Sequence, residues 1–191
     1  NDVILIDVSE DALKRGVGTI EKNLGRMVKK ERITQQDMDD TMSRISTATE
    51  LSAAADSDLV VEAVFENFEV KKQIFSELDS VCKEDTILAS NTSSISITKI
   101  AACTKRPEKV IGMHFMNPVP IMKLVEVIKG QATDDATLNT VLELSKGLNK
   151  TPVTVEDYPG FISNRVLMPM INEAVYCLME GVATRDDIDT V

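Results

Sequence analysis

Residues 59–94, LVVEAVFENFEVKKQIFSELDSVCKEDTILASNTSS, decide the fold class because they contain a strand, a helix and a second strand in succession. The apolar run 59–64 is typical of a strand that is buried on both faces. Apolar side chains then recur at helical spacing over residues 70–81. Residues 86–89 form the next strand, which runs into the polar turn 90–94. This order predicts a parallel sheet with helical crossovers.

The same alternation continues on both sides of this unit. A strand at residues 3–6 ends at Asp7, and Ser9 is a typical N-cap for the helix that follows. Further strands are predicted at 109–113, 124–128 and 152–155, with a polar helix at 35–44 that Thr34 caps. We therefore predict a doubly wound, Rossmann-like α/β domain with a mostly parallel sheet over residues 1–157. The long helical pattern after the segment 157–160, DYPG, predicts the start of an all-α C-terminal domain at residues 158–191.

Composition excludes several classes of function. The 191 residues are 43% hydrophobic and 27% charged, which is the profile of a globular protein. The net charge of −10 argues against nucleic-acid binding, and no apolar run reaches the roughly 18 residues that a membrane span needs. Three separated cysteines and one histidine argue against a metal site. Reduced cysteines and the lack of a visible targeting signal predict a cytoplasmic protein.

A glycine-rich phosphate loop is the feature that such a fold most needs, and residues 1–191 contain no G-x-G-x-x-G. The segment Gly16-Val17-Gly18 lies inside a helical pattern and lacks the third glycine. The strand at residues 3–6, although first in this sequence, has the pattern expected of the second strand in such a fold. We therefore expect that the first strand and the phosphate loop are missing from this chain, and that the chain alone binds a dinucleotide weakly.

Two polar positions follow predicted strands, where ligands collect in open α/β sheets. Asp7 can accept hydrogen bonds from the adenosine ribose hydroxyls, or it can be a solvated acid in a turn. The turn 90–94, SNTSS, can bind a ligand, or some of its residues can cap the helix that follows. Capping explains only one or two of these five polar groups.

Residues 114–126, HFMNPVPIMKLVE, carry the strongest local signal. If the chain reverses near Pro120, His114 and Glu126 are equidistant from the turn and face each other. A carboxylate beside an imidazole fixes its tautomer and favours the imidazolium that forms when histidine takes a proton. A partly buried histidine with a structural partner would give the same pattern.

Three segments together resemble the 3-hydroxyacyl-CoA dehydrogenase family: 90–95 (SNTSSI), 114–126 and 159–165 (PGFISNR). The similarity runs over essentially the whole chain and is greatest to the bacterial 3-hydroxybutyryl-CoA members. It implies NAD-dependent interconversion of (S)-3-hydroxyacyl-CoA and 3-oxoacyl-CoA, with short acyl chains as substrates. It also implies that the complete protein is a homodimer.

The resemblance implies a role for each matching residue. His114 would be the catalytic base with Glu126 as its partner, Ser93 would bind the 3-oxygen of the substrate, and Asn164 would complete the site. NAD would be held at its ribose by Asp7, and at its nicotinamide end by Glu66, Lys71, Ser93 and Asn117.

One lysine completes the implied set. Lys30, at the end of the first helix, would meet a phosphate of coenzyme A. The family often has a serine near position 23 that would also contact coenzyme A, and this chain has Asn23 there.

Three alternatives stay open at this point. The chain can belong to another two-domain NAD(P) hydroxyacid dehydrogenase, which would use a different catalytic residue, commonly lysine. It can be a non-enzymatic structural relative, although such a protein would need none of the four catalytic residues. It can also be an inactive fragment of the enzyme.

Overall fold

The computed structural model describes all residues 1–191, which form two compact units. The first unit comprises residues 1–58 and 77–84, and the second comprises residues 59–76 and 85–191. The domain boundary proposed at residue 158 lies within the second unit.

The first unit contains a parallel pair of strands in which Val3 lies opposite Ile45. Its elements are β1 (Val3–Ile6), α1 (Glu10–Lys29), α2 (Gln35–Ser43), β2 (Ile45–Ala48) and a 3₁₀ turn (Leu51–Ala54). Ser9 caps α1, and Thr34 forms a capping box with Asp37 at the start of α2, so both predicted caps are confirmed. Strand β2 was not predicted because its sequence, ISTA, is short and half polar.

The second unit is built on a five-stranded sheet in the order β3-β4-β5-β6-β7. Only β5 and β6 are antiparallel. Its elements are β3 (Leu59–Glu62), α3 (Phe68–Val81, which ends in the first unit), β4 (Ile87–Ser90), α4 (Ile97–Ala101), a 3₁₀ turn (Pro107–Lys109), β5 (Val110–Phe115), β6 (Leu124–Lys129), α5 (Asp135–Gly147), β7 (Thr151–Glu156), α6 (Ser163–Met179) and α7 (Arg185–Thr190).

This arrangement confirms the predicted class, a mostly parallel Rossmann-like sheet with flanking helices and a C-terminal helical segment. The seven strands form two hydrogen-bonded sheets, the pair β1-β2 in the first unit and the five strands β3-β4-β5-β6-β7 in the second.

A hydrophobic core lies on the sheet of the second unit. It is formed by inward-facing residues of β4, β5 and β6 together with α5: Ile87, Ala89, Ile111, Met113, Val125, Val127 and Val141. These side chains fix the strands whose ends carry the polar residues described below. No helix among those of the chain combines the length and the apolarity that crossing a membrane requires.

Candidate active site

The hairpin of β5 and β6 places His114 directly opposite Glu126, as the sequence pattern predicts. The chain reverses at residues 118–121, where the Ile121 N–H donates to the Pro118 carbonyl at 2.9 Å. The His114 Nδ1 atom lies 2.8 Å from Glu126 Oε2. Both side chains are buried, so this pair is shielded from competition with water.

Glu126 is also held by the start of helix α6. Its Oε1 atom accepts hydrogen bonds from the backbone N–H groups of Ile162 at 3.0 Å and Ser163 at 2.8 Å. Burial by itself acts to raise the pKa of Glu126, but the hydrogen bonds from His114 and from these two amides outweigh it, so the pKa is lowered. The carboxylate is therefore ionised at neutral pH and has no proton to donate. In the neutral tautomer that this contact favours, Nδ1 carries the imidazole proton and Nε2 has the lone pair.

The turn before α6 brings a third group onto the pair. Phe161 is buried, and its ring centroid lies 5.9 Å from that of His114. Gly160 has φ +79°, and a Cβ there would lie 3.2 Å from the Arg165 nitrogen. Glycine is thus required for the tight turn that carries Phe161 over the imidazole. The Pro-Gly pair in the sequence was the available signal for this turn.

Ser93 and Asn164 also come together in the second unit. Asn164 Nδ2 donates to the Ser93 carbonyl at 3.3 Å, and the Ser93 N–H donates to Glu66 Oε1 at 3.0 Å. The Ser93 hydroxyl is exposed and has no protein partner. A backbone fixed at both ends with a free hydroxyl is suited to binding a ligand oxygen.

The polar turn 90–94 does not cap the next helix. Ser96 is the N-cap of α4, and Asp157 accepts from the Ser96 hydroxyl at 2.6 Å and from two backbone N–H groups. Within the turn, Thr92 Oγ1 and the Ser94 hydroxyl donate to Glu66, whose Oε1 also receives the Ser93 and Ser94 N–H groups. The capping interpretation is therefore wrong, and the turn instead binds a carboxylate.

These contacts set the charge of Glu66. Burial acts to raise its pKa, but the hydrogen bonds from Thr92 and Ser93 and the charge of Lys71 outweigh it, so its pKa is lowered. Its side chain is 41% exposed, which leaves part of the carboxylate open to a ligand. Asn117, another candidate for the nicotinamide end, is exposed in the turn after β5.

Lys71, which the resemblance places at the nicotinamide end of NAD, has a buried side chain. Its side chain is 1% exposed, with Nζ 2.7 Å from Glu62 Oε1 and 3.5 Å from Glu66 Oε2. Its ammonium is thus already bound by two carboxylates. Glu62 was missed by the sequence analysis, although a charge within the apolar run 59–64 is a usable signal, since buried charges are almost always paired.

The first unit carries the two remaining candidates, and both are exposed. Asp7 directly follows β1, and its Oδ1 accepts from the Ser9 N–H at 2.8 Å, which leaves Oδ2 for a ligand. Lys30 is the C-cap residue of α1, and it follows Arg26 and Lys29 in the last turn. These residues concentrate three positive charges at the end of α1. Gly16 and Gly18 lie inside α1, so they form no phosphate loop.

The fold and the site together define a nucleotide-dependent dehydrogenase. Acids and hydroxyls follow parallel strands, where such folds hold a dinucleotide, and a histidine with an ionised partner stands at the end of β5. Residues 1–158 match the family model described as 3-hydroxyacyl-CoA dehydrogenase, NAD binding domain, and residues 160–191 match that of its C-terminal domain. The chain belongs to the 3-hydroxyacyl-CoA dehydrogenase family.

Individual relatives agree with this assignment. The chain is 50% identical over 189 residues to a 3-hydroxybutyryl-CoA dehydrogenase of Clostridioides difficile, covering 99% of this chain and 67% of the relative. It is 53% identical over 188 residues to that of Bradyrhizobium diazoefficiens, covering 98% and 64%. The crystal structure of (S)-3-hydroxybutyryl-CoA dehydrogenase PaaH1 from Ralstonia eutropha superposes with a TM-score of 0.94 at 46% identity, covering 97% of this chain and 66% of that one.

The chain thus spans about two thirds of the length of the curated relatives that it matches. The predicted family is confirmed, and with it NAD as the cofactor and oxidoreductase as the enzyme class.

Proposed function

We propose that the full-length protein interconverts (S)-3-hydroxyacyl-CoA and 3-oxoacyl-CoA with NAD, and that this chain supplies the catalytic groups. The observation that carries the proposal is the His114–Glu126 pair, which two strands and the first amides of α6 hold in place. Because the pKa of Glu126 is lowered by the hydrogen bonds that it accepts, its carboxylate is ionised and can stabilise the imidazolium that forms when His114 takes a proton.

In the oxidative direction, His114 Nε2 removes the proton of the 3-hydroxyl, and Glu126 stabilises the imidazolium that results. The exposed Ser93 hydroxyl donates to the 3-oxygen, while Asn164 holds the Ser93 carbonyl and with it the turn. NAD, when bound, supplies the acceptor for the hydride that leaves C3. Asp7 binds its ribose hydroxyls through the free Oδ2, and Glu66 and Asn117 line its nicotinamide end.

Several finer statements belong to the same proposal. The names of the bacterial relatives favour a short acyl chain, 3-hydroxybutyryl-CoA. Lys30, in its basic last turn, would contact a phosphate of coenzyme A. We also propose a cytoplasmic homodimer whose helical domain starts near residue 158, where one family model ends and the next begins.

The direct test is NADH formation by the full-length protein with (S)-3-hydroxybutyryl-CoA and NAD, compared with its His114→Gln variant. The substitution removes a general base, so turnover should fall by ~10²–10⁴. NADH affinity should stay close to that of the wild type. A wild-type protein without this activity, or a loss of less than tenfold in the variant, would contradict the proposal.

A further inference from the structure

Glu62 is a buried carboxylate that the proposed reaction does not use directly. It is the last residue of β3 and is 4% exposed. Its Oε1 accepts from the Val64 N–H at 2.6 Å and lies 2.7 Å from the Lys71 ammonium, and its Oε2 accepts from the Ser90 hydroxyl at 2.7 Å. Every one of these contacts is with a residue at the ligand-binding ends of β3 and β4 or in the first turn of α3.

Lys71 joins Glu62 to Glu66. Its ammonium is buried between them, at 2.7 Å from one carboxylate and 3.5 Å from the other. One ammonium between two carboxylates leaves a net charge of −1, and only Glu66 is exposed to solvent. The surplus negative charge is therefore presented at the surface of the site.

The network continues from Glu66 to the substrate-binding turn. Glu66 Oε1 accepts hydrogen bonds from the N–H groups of Ser93 and Ser94, and the Ser93 carbonyl accepts one from Asn164 Nδ2. A second branch runs from Glu62 through the Ser90 hydroxyl, which accepts from the Thr92 N–H at 3.2 Å. Both branches therefore end on the turn that carries the Ser93 hydroxyl.

We propose that Glu62 is a positioning residue of the dehydrogenase, an inference that rests on the proposed function. Glu62 holds the Lys71 ammonium in the interior, and Lys71 in turn fixes Glu66 toward the nicotinamide end of NAD. The same carboxylate fixes Ser90 and thereby the turn of Ser93.

Three variants of the full-length protein test this assignment: Glu62→Gln, Lys71→Met and the double variant. Each single variant leaves a buried charge without its partner and should unfold at lower denaturant concentration. The double variant removes both charges, so its stability should return toward that of the wild type. Its affinity for NADH should nevertheless stay at least ~10-fold weaker, with kcat/KM for NAD lowered by about the same factor, because Glu66 has lost the cation that orients it.

Thr133→Val is the matched control. Thr133 is buried and bonds the Val110 carbonyl at 2.6 Å, at the end of β5 opposite to His114. This variant should lose stability while NADH affinity stays within about twofold of the wild type. If Glu62→Gln does not fold, Glu62→Asp takes its place, since it keeps the charge and shortens its reach.

The outcomes separate the two proposals. An inactive wild-type protein overturns the proposed function and the role of Glu62 with it. An active wild type with a double variant that regains both stability and NADH affinity overturns only the positioning role, because Glu62 and Lys71 would then be structural. A folded Glu62→Gln variant, which keeps Lys71, supports the positioning role if it binds NADH as weakly as the stable double variant does.

Discussion

The two units of the molecule hold their functional side chains in opposite ways. In the second unit His114, Glu126 and Lys71 are buried, and each is bonded to a named partner. In the first unit Asp7 and Lys30 are exposed, and the Asp7 carboxylate accepts its hydrogen bond from the nearby Ser9 N–H. The first unit also has the smaller hydrophobic core. Its buried hydrophobic residues are only Leu13, Ala54, Leu78 and Cys82.

This difference follows from the tasks proposed for the residues. Proton transfer requires a fixed distance and a fixed tautomer, and both need buried, fully bonded groups. Contact with a ribose hydroxyl or a phosphate tolerates a mobile side chain in water, at the cost of a weaker interaction. Substitutions of these buried residues in the second unit should therefore have larger effects than substitutions of the exposed residues in the first unit.

Glu126→Gln should destabilise the protein more than the substitution of an exposed acid in the same unit does. The amide cannot accept from Nδ1 and from two backbone N–H groups as the carboxylate does, so we expect a loss of about 1–3 kcal/mol in the free energy of unfolding at neutral pH. Denaturant titration of the full-length protein measures it. Glu143→Gln, an exposed acid of the same unit paired with Lys146, should change little.

The loss of stability caused by Glu126→Gln should also depend on pH. The pKa of Glu126 is lowered in the folded protein, so its contribution is present above the unfolded-state pKa and is lost as pH falls through the folded-state pKa. The gap between wild type and variant should thus shrink below the ordinary glutamate pKa of about 4.3. A gap that stays constant on acidification would show that the ionised carboxylate is not what matters.

Asp7→Asn should change the choice of cofactor by an intermediate amount. The Asp7 carboxylate would face the 2′-phosphate of NADP, and removing that repulsion should raise kcat/KM for NADP relative to NAD by about tenfold. Asp2→Asn, an exposed acid before β1, controls for the general change in charge. If the wild type already prefers NADP, or if both variants shift equally, another residue sets the preference.

Lys30→Ala should have the smallest effect. An exposed lysine beside a phosphate is worth little and is screened by salt, so KM for the acyl-CoA should rise about two- to fivefold at low salt with kcat unchanged. Lys22→Ala on the same helix is the control, because Lys22 lies outside the basic last turn. An equal change in both variants would remove Lys30 from the binding site.

The sequence predicts the elements whose patterns are local. The caps at Ser9 and Thr34 and the facing of His114 and Glu126 were all readable from spacing, because a turn or a cap depends on a few neighbouring residues. The resemblance to the family added the proposed roles of Ser93 and Asn164, which spacing alone does not indicate.

Other features depend on contacts far apart in the chain and were not predictable. The amides of residues 162 and 163 that hold Glu126 come from 36 and 37 positions away. The burial of Lys71 depends on Glu62, whose strand pairs with β4, and a lysine in the first turn of a helix is ordinarily exposed. Strand β2 was missed because pairing with β1, and not its own composition, makes it a strand.

The central claim is that His114 and Glu126 act as one catalytic unit, and a double-mutant cycle on kcat tests it most directly. We expect His114→Gln to lower kcat by ~10²–10⁴ and Glu126→Gln to lower it less. Because Glu126 acts only through the imidazole, the double variant should match His114→Gln within about threefold. A double variant whose loss equals the product of the two single losses would contradict the account, since each residue would then act independently.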